Sequence, residues 1–237
     1  MKSSIFLPLL TFVTTVLTPV VLILTTVRLL LFPWFLVFEY SLPDFPADSY
    51  GFSQPERLKY ARSALDYLTN DADISYLGNL RFPAGQSAPP ESCREMDDCN
   101  QLFNQRELKH MLDVKKVTGQ VLIVWRMAAV LLILCGLTAW SNARVREYWL
   151  AVARGGWLTA LISGGVVVLV LLAFGFVFVA FHDMFFASGT WMFLYSDTLI
   201  RLFPERFWRD VFLFALGVPA VLGVVLAVII PHAIKVK

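Results

Sequence analysis

The sequence predicts an all-α membrane protein: four transmembrane helices, with a mostly helical extracytoplasmic domain between the first and the second. Three observations point there. Hydrophobic residues make up 57% of the 237 and charged residues only 16%, where soluble domains carry about 25% charge. The apolar residues fall in four long blocks rather than in amphipathic stripes. Each block supplies the roughly 20 consecutive apolar residues that a helix needs to cross a bilayer.

The first block fills residues 1–38 and is interrupted by Arg28. It is too long for a signal-peptide core and has no small-residue cleavage site, so it reads as a retained helix. Residues 39–116 form the extracytoplasmic domain. Within it, Ser53-Gln54-Pro55-Glu56 has the marks of a helix start: a serine cap, a proline in the first turn and a carboxylate at capping-box spacing. That helix is expected to run to about Asn70 and to bury Leu58, Ala61, Leu65 and Leu68. Residues 82–99, rich in Pro, Gly, Ser and Asp, read as a loop. A further helix is expected from near Asn104, leading into the second span at 117–140, which contains Arg126. A cytoplasmic loop at 141–148, a third span at 149–181, an aromatic extracytoplasmic loop at 182–210, a fourth span at 211–230 and a cytoplasmic tail at 231–237 complete the chain. No internal repeat is visible.

An even number of crossings puts both termini on one side. The short flanks there hold Lys2, Arg144, Arg146, Arg154, Lys235 and Lys237, against Arg201, Arg206 and Arg209 in the short loop opposite. Cytoplasmic flanks carry the excess of Lys and Arg, so both termini are expected inside. A net charge of +2 with scattered basic residues excludes nucleic acid as a partner. Of the three cysteines, Cys135 sits in an apolar block as a packing residue. Cys93 and Cys99 suit either a short-loop disulfide, which would persist outside the cytoplasm, or two free thiols.

Topology sorts the three histidines. His110 precedes the second span and His182 follows the third, so both fall at the outer boundary, while His232 lies past the fourth span on the other side. A histidine works as a base when its second nitrogen is held, and carboxylates surround this pair in sequence. Glu107 and Asp113 lie three residues either side of His110, within reach on a helix; Asp183 adjoins His182, and Asp197 follows in the loop. Glu107-Leu108-Lys109-His110 matches half of a di-iron motif, but no second copy exists, and the sequence implies neither a metal nor a cofactor. No serine-hydrolase or phosphate-loop motif occurs; Ser188 and Ser196 near His182 have nothing to single them out as nucleophiles. Arg28 and Arg126 interrupt apolar blocks, where a charge normally faces a partner or a wet cavity; with Arg57 they are candidates for a headgroup or an oxyanion.

Several short motifs together resemble a known family. They are Tyr50-Gly51-Phe52 with Glu56-Arg57, then Glu107-Leu108-Lys109-His110-Met111-Leu112-Asp113-Val114-Lys115. Further on come Phe181-His182 with Phe185-Phe186, Trp191, Asp197-Thr198-Leu199-Ile200 and Pro204-Glu205-Arg206-Phe207-Trp208. With the four-span layout, the chain resembles the Lit-type lipoprotein intramolecular transacylases of bacterial cytoplasmic membranes. The resemblance implies an acyltransferase at the outer leaflet whose partners are a bacterial lipoprotein and membrane lipid. The implied reaction moves the sn-2 acyl chain of a diacylglyceryl lipoprotein to the α-amino group of its N-terminal cysteine, leaving the lyso-form. The two histidines implicated in that family fall on His110 and His182. The loop at 82–99 reads as an insertion relative to compact members. With both reacting groups on one substrate, the enzyme must hold them together and move protons. His182 is the candidate base and His110 the candidate acid or oxyanion donor, with the reverse assignment open. Two rival readings need no reaction: a membrane sensor binding a lipid or peptide, and a small transporter with Arg28 and Arg126 in its path.

Overall fold

The computed structural model describes residues 3–235, so Lys2 and Lys237 of the basic flanks lie outside the described residues. All of its named elements are helices: α1 Ser3–Leu30, α2 Pro33–Ser41, α3 Gln54–Tyr67, α4 Ser75–Gly78, α5 Pro90–Cys93, α6 Gln105–Ser141, α7 Val145–Phe185, α8 Thr198–Leu202 and α9 Glu205–Lys235. Four of them, α1, α6, α7 and α9, are long and apolar enough to cross a membrane.

The first apolar block is two helices rather than one. Pro33 disfavours the helical conformation in the residue before it; Phe32 is extended (φ −93°, ψ 152°) and α2 restarts with the proline in its first turn, where its missing N–H costs nothing. The helix that carries the fourth apolar block starts before that block, because α9 begins at Glu205 directly after Pro204. In α7 the backbone leaves helical geometry at Ala173 (φ −150°, ψ 53°).

The chain divides into two compact units. The span unit, residues 1–29, 121–174 and 212–237, holds the bulk of the spans. Small residues bring its backbones together, as membrane helix packing requires when no hydrophobic effect drives association. A Cβ on Gly156 would stand 2.6 Å from the carbonyl oxygen of Gly223, and one on Gly223 would stand 2.5 Å from that of Gly156. Gly155 leaves similar room for Thr18. Thr15 Oγ1 donates to the Ala151 carbonyl (3.2 Å), and Trp125 Nε1 donates to Thr25 Oγ1 (3.0 Å).

The second unit, residues 30–120 and 175–211, carries most of the polar chemistry. Its α3 starts as the sequence expects: Ser53 caps it, with the reciprocal Glu56 bond of a full capping box. The buried face is rotated, however. Arg57, Tyr60, Ala61, Ala64 and Tyr67 are buried, while Leu58, Leu65 and Leu68 are only half-buried. Arg57 is the charged member of that face. Its Nε and Nη2 donate to the Arg201 carbonyl (2.9 and 2.6 Å) and its Nη1 to that of Pro46 (2.6 Å), so each nitrogen of the buried guanidinium has an acceptor. Arg201 in turn makes a two-pronged pair with Asp48, both bonds 3.0 Å, with its guanidinium 3.8 Å from the centre of the Phe52 ring. Gln54 donates to the Tyr40 carbonyl, and Tyr40 OH to that of Leu202 (2.6 Å).

The loop at 82–99 contains α5 and is closed by a Cys93–Cys99 disulfide, Cα atoms 5.1 Å apart. Beside it, Ser92 Oγ donates to Ser196 Oγ in a buried bond of 2.8 Å. Closing so short a ring removes little chain entropy, so replacing both Cys93 and Cys99 with Ser is expected to lower stability by about 2 kcal/mol. A thermal melt of the purified protein measures it, and a loss near zero would mean that the bond contributes nothing to the fold.

Candidate active site

Both candidate histidines belong to the second unit, and the fold brings them together. His110 lies near the start of α6 and His182 in the last turn of α7. Their rings stack at a centroid distance of 6.3 Å and an interplanar angle of 20°. Each is buried, with 9% of His110 and 7% of His182 exposed.

Local geometry gives the two rings different roles. His182 Nδ1 lies 2.7 Å from the Phe178 carbonyl oxygen one turn earlier. A carbonyl only accepts, so Nδ1 carries the hydrogen and, in the neutral ring, Nε2 keeps the lone pair. His110 Nδ1 is buried and has no hydrogen-bond partner. The surroundings are aromatic. Phe178 packs against His182 at 4.0 Å and Trp191 at 4.8 Å; Phe193 packs against His110 at 5.3 Å. Phe186 touches both, at 4.8 Å from His110 and 5.7 Å from His182.

The carboxylates turn elsewhere. Glu107 is buried, and its oxygens accept from the backbone amides of Asn104 (2.8 Å) and Leu199 (2.6 Å). Asn104 Oδ1 in turn accepts from the Glu107 amide (2.9 Å), so the pair is the capping box of α6. The bond to Leu199 also ties that helix start to α8. Asp197 pins the same junction: it accepts from Asn104 Nδ2 (3.0 Å) and the Leu194 amide (2.9 Å), with Arg106 3.5 Å away. Glu107 and Asp197 therefore hold the backbone that presents His110 and the segment over it. Asp113 pairs with Lys116 at 3.1 Å, and Asp183 is exposed.

The remaining candidates divide between the two units. Arg57 is consumed by backbone carbonyls. Arg28, half-buried, and Arg126, exposed with Nε on the Leu122 carbonyl (3.2 Å), belong to the span unit. His232, also there, is exposed with Nδ1 2.7 Å from the Val228 carbonyl oxygen. Ser196 is engaged with Ser92, and Ser188 is exposed. Among the described residues no group of three or more His, Cys, Asp or Glu side chains is placed to hold a metal ion. One buried carboxylate went unnoticed in the sequence: Glu39 of α2, which burial, and then the neighbouring Asp210 charge, push up to about 7.

Sequence reading also missed the aromatic enclosure as part of the site. Its signal was the dense run of aromatics after residue 181, which equally describes an interfacial anchor. Nothing local shows that Trp191 and Phe193 fold back over the histidines.

Comparisons with known proteins bear on the family and the fold. The family model described as lipoprotein intramolecular transacylase Lit matches residues 12–208. An uncharacterised protein of Aquifex aeolicus (strain VF5) is 29% identical over 187 residues, 76% of this chain and 74% of its own length. The in meso structure of the membrane integral lipoprotein intramolecular transacylase Lit from Bacillus cereus superposes with a TM-score of 0.66 at 18% identity, covering 98% of this chain and 99% of the other. A histidine-to-arginine variant of that protein gives 0.70 at 16% identity, covering 98% and 93%. By the family model, which spans most of its length, this chain belongs to the Lit family of lipoprotein intramolecular transacylases.

Proposed function

We propose that this protein moves the sn-2 acyl chain of a diacylglyceryl lipoprotein to the α-amino group of the lipoprotein's N-terminal cysteine, with His110 and His182 as its catalytic residues. The observation that carries this reading is the buried pair of stacked imidazoles, one of which keeps a free Nε2 through its Nδ1 bond to Phe178.

The chemistry needs a proton acceptor, charge stabilisation and proximity. The substrate's ammonium group first loses one proton to water. The amine nitrogen then attacks the ester carbonyl carbon, and His182 Nε2 takes the proton that the nitrogen sheds. When the tetrahedral intermediate collapses, the C–O bond to glycerol breaks and His182 returns that proton to the glycerol oxygen. The products are the amide and a free hydroxyl. His110 offers a ring N–H to the carbonyl oxygen while it bears negative charge. No enzyme nucleophile is needed, because nucleophile and electrophile arrive on one molecule. The aromatic enclosure suits an acyl chain and keeps water from hydrolysing the ester.

The site is assigned to the outer leaflet of the bacterial cytoplasmic membrane, with both termini in the cytoplasm. The excess of Lys and Arg on the terminal side supports this, as does a disulfide in the unit that carries the histidines, since such bonds persist outside the reducing cytosol.

Mass spectrometry of lipoprotein N-terminal peptides tests the reading, using cells that express this chain in a host lacking the activity. The expected result is an N-acyl lyso-form in place of the diacyl form. An unchanged diacyl form, with the protein present in the membrane, would overturn it.

A further inference from the structure

Five aromatic rings enclose the histidines: Phe178, Phe181, Phe186, Trp191 and Phe193. Only Trp191 carries a hydrogen-bonding atom. Phenylalanine would supply the same apolar lining without a polar group to satisfy. An indole N–H can only donate, and a buried one normally finds an acceptor. Trp191 Nε1 is enclosed and has none.

Among the described residues, two buried ring nitrogens lack a partner, Trp191 Nε1 and His110 Nδ1. Both rings face the same base: the His182 ring lies 4.8 Å from that of Trp191 and 6.3 Å from that of His110. Eight buried side-chain atoms among the described residues lack a partner, these two among them, and a catalytic role is one of the reasons a protein keeps such a group. Two such groups around one base match what an acyl transfer needs, namely donors already in place where the carbonyl oxygen becomes negative.

We propose that Trp191 is a catalytic residue whose indole N–H hydrogen-bonds the carbonyl oxygen of the migrating acyl group. The assignment rests on the transacylation reading above. As the C–N bond forms, the carbonyl electron pair moves onto oxygen, which the indole N–H and His110 stabilise together. On collapse the pair returns, the ester C–O bond breaks, and His182 delivers its proton to the glycerol oxygen. The indole neither gains nor loses a proton, so its contribution is independent of pH.

The test removes that one hydrogen. β-(3-Benzothienyl)alanine, which replaces the indole N–H with sulfur in a ring of nearly the same shape, is placed at position 191 by nonsense suppression. A Trp191→Phe variant accompanies it. Turnover of a diacylglyceryl lipopeptide with a free N-terminal cysteine is followed by mass spectrometry in proteoliposomes. The expected result is a fall in kcat of about 100-fold for both variants, with KM changed by less than about threefold and the shape of the pH profile retained. A packing role alone predicts full activity for the isostere, so a kcat within about threefold of wild type would overturn the proposal while leaving the transacylation reading intact. A wild-type protein that converts none of the lipopeptide would overturn the transacylation reading, and this proposal with it.

Discussion

Replacing His182 with Ala is expected to lower kcat for lipopeptide transacylation by on the order of 10³-fold, the contribution of a positioned general base. The loss falls on kcat rather than KM, because the imidazole takes its proton only as the C–N bond forms. The geometry makes this residue the more sensitive of the pair. The Phe178 carbonyl fixes the ring and its tautomer from one turn below, so Nε2 keeps its lone pair in a held orientation. His110→Ala is expected to cost on the order of 10²-fold, the loss of one donor to the oxyanion. His232→Ala, on an exposed residue of the span unit, is expected to keep full activity. Kinetics on purified variants with matched thermal melts measure all three. Wild-type turnover in His182→Ala would remove the base from the mechanism.

The spans were legible because block length and composition need no tertiary information. The joining of His110 to His182 was legible only through topology: counting crossings places both at one boundary and sets His232 aside. What local pattern could not supply was the destination of polar side chains. Glu107 sits at helical spacing from His110, which suggests contact, yet the same residue stands at the third position after Asn104. Asn104-x-x-Glu107 was a capping signal, and it is the use the fold makes of this carboxylate. On α3, a hydrophobic pattern picks Leu58, Leu65 and Leu68, because no scale anticipates that Arg57 enters the core onto carbonyls of Arg201 and Pro46. Arg57 reads as a candidate anion site in sequence for the same reason.

That buried arginine pair gives the largest expected effect on stability. Asp48→Asn is expected to destabilise the fold by about 3–5 kcal/mol, the range for breaking a buried ion pair by removing one partner. Asp48 and Arg201 are almost wholly buried, their side chains only 1% and 2% exposed. Arg201 is already short of one bond, since its Nη1 has no partner, so Asn in place of the carboxylate leaves a buried cation with one neutral acceptor, an amide NH2 turned toward it, and the faces of Phe52, Tyr50 and Phe82. The damage spreads, because the Arg201 carbonyl is the acceptor that holds Arg57. Burial by itself would push the Asp48 carboxyl up, but the Arg201 bonds, the amides of Phe52 and Tyr50 and the guanidinium charge outweigh it and hold Asp48 below the usual carboxylate range. A group depressed in the folded state adds stability that is fully present above its unfolded value, about 3.9, and is lost as the pH falls through the folded one. Wild type should therefore lose stability below about pH 4 more steeply than Asp48→Asn, which has already lost that term at neutral pH. Denaturant melts of both proteins from neutral to acidic pH measure it: parallel curves would mean that this carboxylate is not coupled to folding, and a neutral-pH difference under about 1 kcal/mol would mean that Arg201 finds another partner.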